Sequence, residues 1–384
     1  MNRYTIIFFV FFTIAFACNG QYLDSLEKEL KTATNEEKVD ILNKLFVVHH
    51  QLNPKPALEY ASQALDLASS IDYKKGKAAA LNNLGVIYKN QGVYNRALEY
   101  YKTSLKLSEE INDKRAIAST TNNLGAIYSL KGDHEMALTY FTTSIELFTE
   151  LDDQKQIIGA LNNLGNAYND DGKKIKALQY FNESIELAEQ LGITSRTPEP
   201  LNNIGNIYFY NKDFEKALEY YERSYEAETK SDNILGQAQA LSNIAATYYE
   251  TQQLPKAKTY YQQAEQLADS ISAYMVLVVT YDGLSKIYAQ QEKYKEAYEA
   301  RLNYDQTQEI IYTQEKGKNS SQLEIATELQ QKEKELEVLK KQNRIKQLQI
   351  EKSRIVIILS IMGVIMILGA IFILIKAKKV KFKF

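Results

Sequence analysis

Asparagine is the residue whose type and spacing most clearly invite chemistry in this chain. It stands in pairs at Asn82/Asn83, Asn122/Asn123, Asn162/Asn163 and Asn202/Asn203, alone at Asn243, and again at Asn166 and Asn206, one helical turn past two of the pairs. A carboxamide donates and accepts hydrogen bonds without charge, so a row of such groups suits a peptide backbone and demands no particular side chain. The competing use is internal, with one amide of each pair bonding to a neighbouring part of the same chain. Catalytic alternatives are missing from the sequence. It holds no Gly-rich phosphate loop, no Gly-x-Ser-x-Gly elbow, no His-Glu-x-x-His helix and no paired-carboxylate motif. The expectation is a protein that is not an enzyme and needs no cofactor. The one cysteine, Cys18, excludes an internal disulfide, and His49, His50 and His134 are too few and too scattered for a metal centre.

The elements that must position these amides announce themselves by repetition. Only 16 Gly and 5 Pro among 384 residues leave little turn material, which points to helices. Written in rows of 40, the chain aligns Leu81-Asn-Asn-Leu-Gly, Thr121-Asn-Asn-Leu-Gly, Leu161-Asn-Asn-Leu-Gly, Leu201-Asn-Asn-Ile-Gly, Leu241-Ser-Asn-Ile-Ala and Tyr281-Asp-Gly-Leu-Ser. Tyr recurs from Tyr88 to Tyr288 and Ala from Ala97 to Ala297 at the same interval, and an aromatic ring fills 101, 141, 181, 221 and 261, followed three residues later by Ser or Ala. Within a unit, Leu81, Leu84, Ile87 and Tyr88 have helical spacing, Gly92 breaks the pattern, and Ala97, Tyr101 and Leu105 resume it. Each unit is therefore a helical hairpin, with Gly85 allowing close approach and Ala97 at the contact. Pro198 and Pro200 open a first helix, Pro255 opens a second, and Pro54 and Pro56 are expected in a turn. His49 falls in the Tyr88 slot and His134 in the Tyr94 slot, as packing variants.

With Leu81, Leu84, Gly85, Tyr88, Gly92, Tyr94, Ala97, Tyr101 and Ser104 as its signature, the chain resembles the tetratricopeptide repeat family in its 40-residue form. The resemblance implies an all-α superhelical solenoid of about seven units over 38–317, preceded by a capping segment at 18–37 and closed where Arg301 and Tyr304 replace the aromatic and the small residue. In that family the first helices line a concave groove, and residues at the positions of Asn82, Asn83 and Asn166 contact an extended peptide. The candidate peptide-binding set is thus Asn82, Asn83, Asn122, Asn123, Asn162, Asn163, Asn166, Asn202, Asn203, Asn206 and Asn243, with a protein or peptide as partner.

The flanks carry further expectations. Arg3 and the apolar run Ile6 to Phe16 read as a signal peptide over 1–17, with Cys18 as a candidate lipidation site. From 318 to 354 the chain is rich in Glu, Lys, Gln and Leu, with Leu329, Leu336, Asn343 and Ile350 on one seam; Asn343 is the kind of residue that sets coiled-coil register, so a homodimer through this stalk is expected. The uncharged stretch 355–375, about 31 Å as a helix, is expected to span a membrane, followed by a basic cytoplasmic tail at 376–384. That gives an inner-membrane protein with periplasmic repeats. Residues 4–317 hold 31 basic against 42 acidic groups, which argues against nucleic acid as a partner. The whole arrangement resembles the sensor half of Bacteroidetes tetratricopeptide-repeat histidine kinases without the output domain. It implies a sensory or adaptor module, with a passive scaffold or a truncated kinase as alternatives.

Overall fold

The computed structural model describes residues 22–50 and 54–381. A helix over 22–32 (α1) is followed by α2 (Asn35–His49) and α3 (Pro54–Ser70), α4 (Lys74–Asn90) and α5 (Tyr94–Glu110), α6 (Lys114–Leu130) and α7 (His134–Glu150), and α8 (Gln154–Asp170) and α9 (Lys174–Gln190). A short 3-10 turn at Thr194–Arg196 leads into α10 (Pro198–Tyr210) and α11 (Phe214–Lys230), then α12 (Ile234–Glu250) and α13 (Leu254–Ser270), and α14 (Tyr274–Gln290) and α15 (Tyr294–Lys381). Each helix packs on its hairpin partner and on the first helix of the next unit, the pattern of an all-α solenoid. Pro54 and Pro56 start α3 rather than lying in a turn, since proline at the first helical positions forfeits only an amide that has no intrahelical acceptor.

The period of 40 follows from local chemistry. Helices of 17 residues alternate with three-residue turns, and each turn is a backbone lock. After α4, the Val93 amide donates to the Tyr88 carbonyl at 2.9 Å and the Gly92 amide to that of Lys89 at 3.0 Å, a Schellman closure that uses carbonyls left over at the helix end. It requires a left-handed residue, supplied by Gly92 (φ +74°) here and by Asn112 and Asp152 (φ 55° and 52°) elsewhere. The next helix is then capped: Asp113, Asp133, Asp213 and Asn233 each accept an amide hydrogen three residues on, at 3.0 to 3.4 Å.

Between the two helices of a unit lies one ring. Tyr101, Phe141, Phe181 and Tyr221 are buried, each against the glycine of the preceding helix. A Cβ on Gly85, Gly125, Gly165 or Gly205 would sit 2.5, 2.8, 2.6 or 2.6 Å from that ring. The small residue one turn later has a bonding role as well as a steric one. Ser104, Ser144, Ser184 and Ser224 donate to the carbonyls of Ala78, Ala118, Ile158 and Pro198 at 2.7, 2.9, 2.9 and 3.2 Å, tying the second helix to the first. A second ring, read past in the sequence although it recurs at the same interval, completes the hairpin. Tyr100, Tyr140, Tyr180, Tyr220 and Tyr260 stack on Tyr88, Tyr128, Tyr168, Tyr208 and Tyr248 with centroids 5.2 to 5.7 Å apart. His49 meets Tyr60 at the corresponding place, with centroids 5.5 Å apart and the rings tilted by 37°.

The chain divides after Gln314 into two compact units. The second consists, among its described residues, of the remainder of α15. Among the described residues no helix is long and apolar enough to cross a membrane. This overturns the expected transmembrane helix at 355–375, and with it the membrane embedding, the inner-membrane address and the orientation built on it. The apolar residues of 355–375 continue the charged helix α15. The expected signal peptide and Cys18 lie outside the described residues, as does the side chain of Asn343.

Candidate functional site

The asparagines form a hydrogen-bonded ladder across the repeats. In each rung the second Asn of one unit donates Nδ2 to the Oδ1 of the first Asn of the unit before. The pairs are Asn123 to Asn82 at 3.0 Å, Asn163 to Asn122 at 3.3 Å, Asn203 to Asn162 at 3.4 Å and Asn243 to Asn202 at 2.7 Å. A further rung, Asn83 to Asn43 at 2.9 Å, was not in the expected set. Asn43 belongs to the worn first unit, and the signal for it was Leu42-Asn43-Lys44-Leu45, one residue out of step with Leu81-Asn82-Asn83-Leu84. The ladder stops where the slot of the second Asn becomes Gly283, and there the buried hydroxyl of Ser242 is left without a partner.

Each rung uses half of its capacity. The first Asn keeps its amide hydrogens and the second keeps its carbonyl oxygen. Of the first-position amides, Asn43 spends one hydrogen on the Gly76 carbonyl at 3.3 Å and Asn162 spends one on the Glu199 carboxylate at 2.9 Å. Those of Asn82, Asn122 and Asn202 have no partner among the described residues. Asn83 and Asn162 are buried, the other members half-buried, so the spare groups lie at the surface of the first helices. Asn166 accepts from Asn203 at 3.0 Å, and Asn206 from the Tyr221 hydroxyl at 2.7 Å. The unit of Tyr101 has Val86 in that slot, and the Tyr101 hydroxyl is a buried orphan.

Electrostatics sharpen two junctions. The Glu265 carboxyl is pushed above the usual carboxylate range, first by burial and then by nearby Asp269, with a hydrogen bond to Tyr281 opposing. Its slot holds Leu105, Ile145 and Ile185 in earlier units, so Glu265 places a charge where aliphatic side chains pack. A folded-state pKa above the unfolded one means that ionisation opposes folding above the folded pKa and that the penalty disappears as pH falls. Glu265→Gln is therefore expected to raise the melting temperature at pH 7.5 and to match the parent near pH 4. An unchanged difference between the two pH values would show that burial at Glu265 is not the cause. Tyr73, half-buried and hydrogen-bonded to Asp40 at 3.2 Å, has its phenol pushed up to about 12 by burial first and that carboxylate second. His134 keeps a buried Nδ1 without a partner, and among the described residues no group of His, Cys, Asp and Glu could hold a metal ion.

No curated protein matches the chain. Among solved structures, a signal-transduction ATPase with a tetratricopeptide repeat sensor from Pyrococcus horikoshii has a TM-score of 0.58 at 18% identity, over 77% of this chain and 49% of its own. The chain thus spans about half of that protein. A Rap protein complexed with competence and sporulation factor has a TM-score of 0.52 at 16% identity, over 76% and 80%. BtubC from P. vanneervenii reaches 0.51 at 18%, over 56% and 91%. At such identities the likeness is one of fold. The model described as tetratricopeptide repeat matches 76–150, 116–190, 156–230 and 196–270, together more than half of the chain, in step with the helical hairpins and their 40-residue period. The chain belongs to the tetratricopeptide repeat family.

Proposed function

We propose that the face of first helices carrying the asparagine ladder binds an extended protein or peptide segment, and that the protein serves as an adaptor or sensor through that capture. The observation that carries the reading is the half-used ladder: successive rungs offer a spare donor and a spare acceptor, the pair that a peptide backbone needs. Chains of hydrogen bonds held by rigid helices are also preorganised, which lowers the ordering cost of capture. The Rap protein complexed with competence and sporulation factor supports the reading by analogy of fold.

The ladder gives the test its shape, because the same residues bind their neighbours. Asn122→Ala and Asn202→Ala each remove a spare donor together with the acceptor of one rung. Asn163→Ala and Asn243→Ala remove the donor of the same rungs instead. Both classes are expected to lower stability by about 1 kcal/mol per rung. Pull-down followed by calorimetry on the captured partner should show that Asn122→Ala with Asn202→Ala weakens binding by about tenfold. Unaltered affinity in that double variant would leave the ladder as architecture alone.

A further inference from the structure

We infer that the junction between α4 and α6 is a specificity site for a peptide bearing one apolar side chain and, about 10 Å away, one carboxylate. The inference rests on the groove reading and names what the groove selects.

The apolar half is a cavity of about 140 Å³ lined by Ala78, Ala79, Asn82, Ala116, Ser119 and Thr120, among others. It is left open where small residues fill slots that larger ones fill between α8 and α10. The slot of Ala116 holds Gln156 in the next unit, Arg196 in the one after and Gly236 beyond that, and the slot of Ser119 holds Gly159, then Glu199 and Gln239. At the α8 junction these larger groups occupy the space, with the Arg196 guanidinium against Gly159 and the Glu199 carboxylate on Asn162. A cavity near 150 Å³ accepts a molecule of benzene size, whereas sites for whole small molecules run to about 300 Å³ or more. The alanine methyl groups favour an apolar occupant, such as a Leu side chain, and the spare Asn82 amide hydrogens lie at the rim for its backbone.

The charged half is Lys89. It lies seven residues beyond Asn82, two turns along the same face of α4, which is about 10 Å of helix or three residues of extended chain. Its side chain is half-buried and has no hydrogen-bond acceptor or carboxylate partner among the described residues. Burial alone pushes its pKa down, with no neighbouring charge contributing. The same slot is His50 in the worn first unit and Ser129, Asn169, Phe209, Tyr249 and Ala289 in later units, so no other junction has a lysine there. A partly desolvated ammonium without a counter-charge is stabilised by an incoming anion more than an exposed one would be. In a repeat region with 31 basic and 42 acidic groups, one such point favours a single carboxylate on an otherwise neutral or basic segment.

The test is selection of a random displayed peptide library on the full chain, with melting temperature as the folding control. The parent is expected to enrich Leu, Ile, Met or Phe three residues from Asp, Glu or a terminal carboxylate by at least about tenfold. Lys89→Gln should keep the apolar preference and lose the acidic one. Ser119→Leu should do the reverse by filling the cavity, and Ala116→Leu serves the same purpose should Ser119→Leu fail to fold. Acidic preference surviving in Lys89→Gln, or apolar preference surviving in both filled variants, would overturn the site while leaving groove binding intact. A parent that enriches no peptide would overturn both readings.

Discussion

Phe181→Ala lowers the stability of the repeat unit by about 3 to 5 kcal/mol, the largest effect expected of any single truncation in the array. The ring is fully buried between α8 and α9 and packs with Ala177, Ile185, Leu201, Ile204 and Ile207, so its removal leaves a void that two helices and the following unit must share. Because each unit touches only its neighbours, the loss is local. Hydrogen exchange should show amides of α8, α9 and α10 opening while those of α4 and α5 keep their protection. A uniform loss of protection along the array, or a change below about 1 kcal/mol in the urea midpoint, would contradict the one-ring account of the hairpin.

The second large effect comes from adding atoms at the same contact. Gly165→Ala places a Cβ 2.6 Å from the Phe181 ring, nearer than such contacts are found, and the ring has no room to withdraw. The expected cost is about 1 to 3 kcal/mol, larger for Gly165→Val, and Phe181→Leu in the same chain should recover part of it. The protein holds its own control. Ala245 occupies this slot in a later unit, and there the Tyr261 ring lies against Gly283 of the next first helix, so the missing space is taken from the neighbouring unit. Stability unchanged in Gly165→Ala would mean that the close approach is incidental.

Much of the architecture was legible because the repeat is a local rule applied many times. Leu84, Tyr88, Ala97 and Tyr101 have helical spacing within one hairpin, and the left-handed residue with its following cap fixes each turn, so neither depends on distant contacts. The asparagines themselves stood out in the sequence as a periodic row, and the structure joins them by hydrogen bonds from unit to unit. Asn43 was passed over because one residue is missing between the worn first unit and the next, which breaks the row of 40 but not the hydrogen bond. Tyr100 and its equivalents were passed over because Tyr101 beside them satisfied the expected pattern. The apolar run at 355–375 was read as a membrane span, whereas among the described residues no helix is long and apolar enough to cross a membrane.

From the sequence alone came the helical hairpin, its period, the family resemblance, the seat of the amide row and the lack of catalytic motifs, all properties carried by residues within about forty positions of each other. Tertiary structure alone decided which asparagine donates and which accepts, since that depends on how neighbouring hairpins pack rather than on spacing along the chain. It also decided which hydrogens remain spare, where Ser104 finds its carbonyl, and where small residues on two different helices leave a cavity two helical turns from a lysine with no acceptor among the described residues. Periodicity specifies a face, but only packing between units specifies what that face has left to offer.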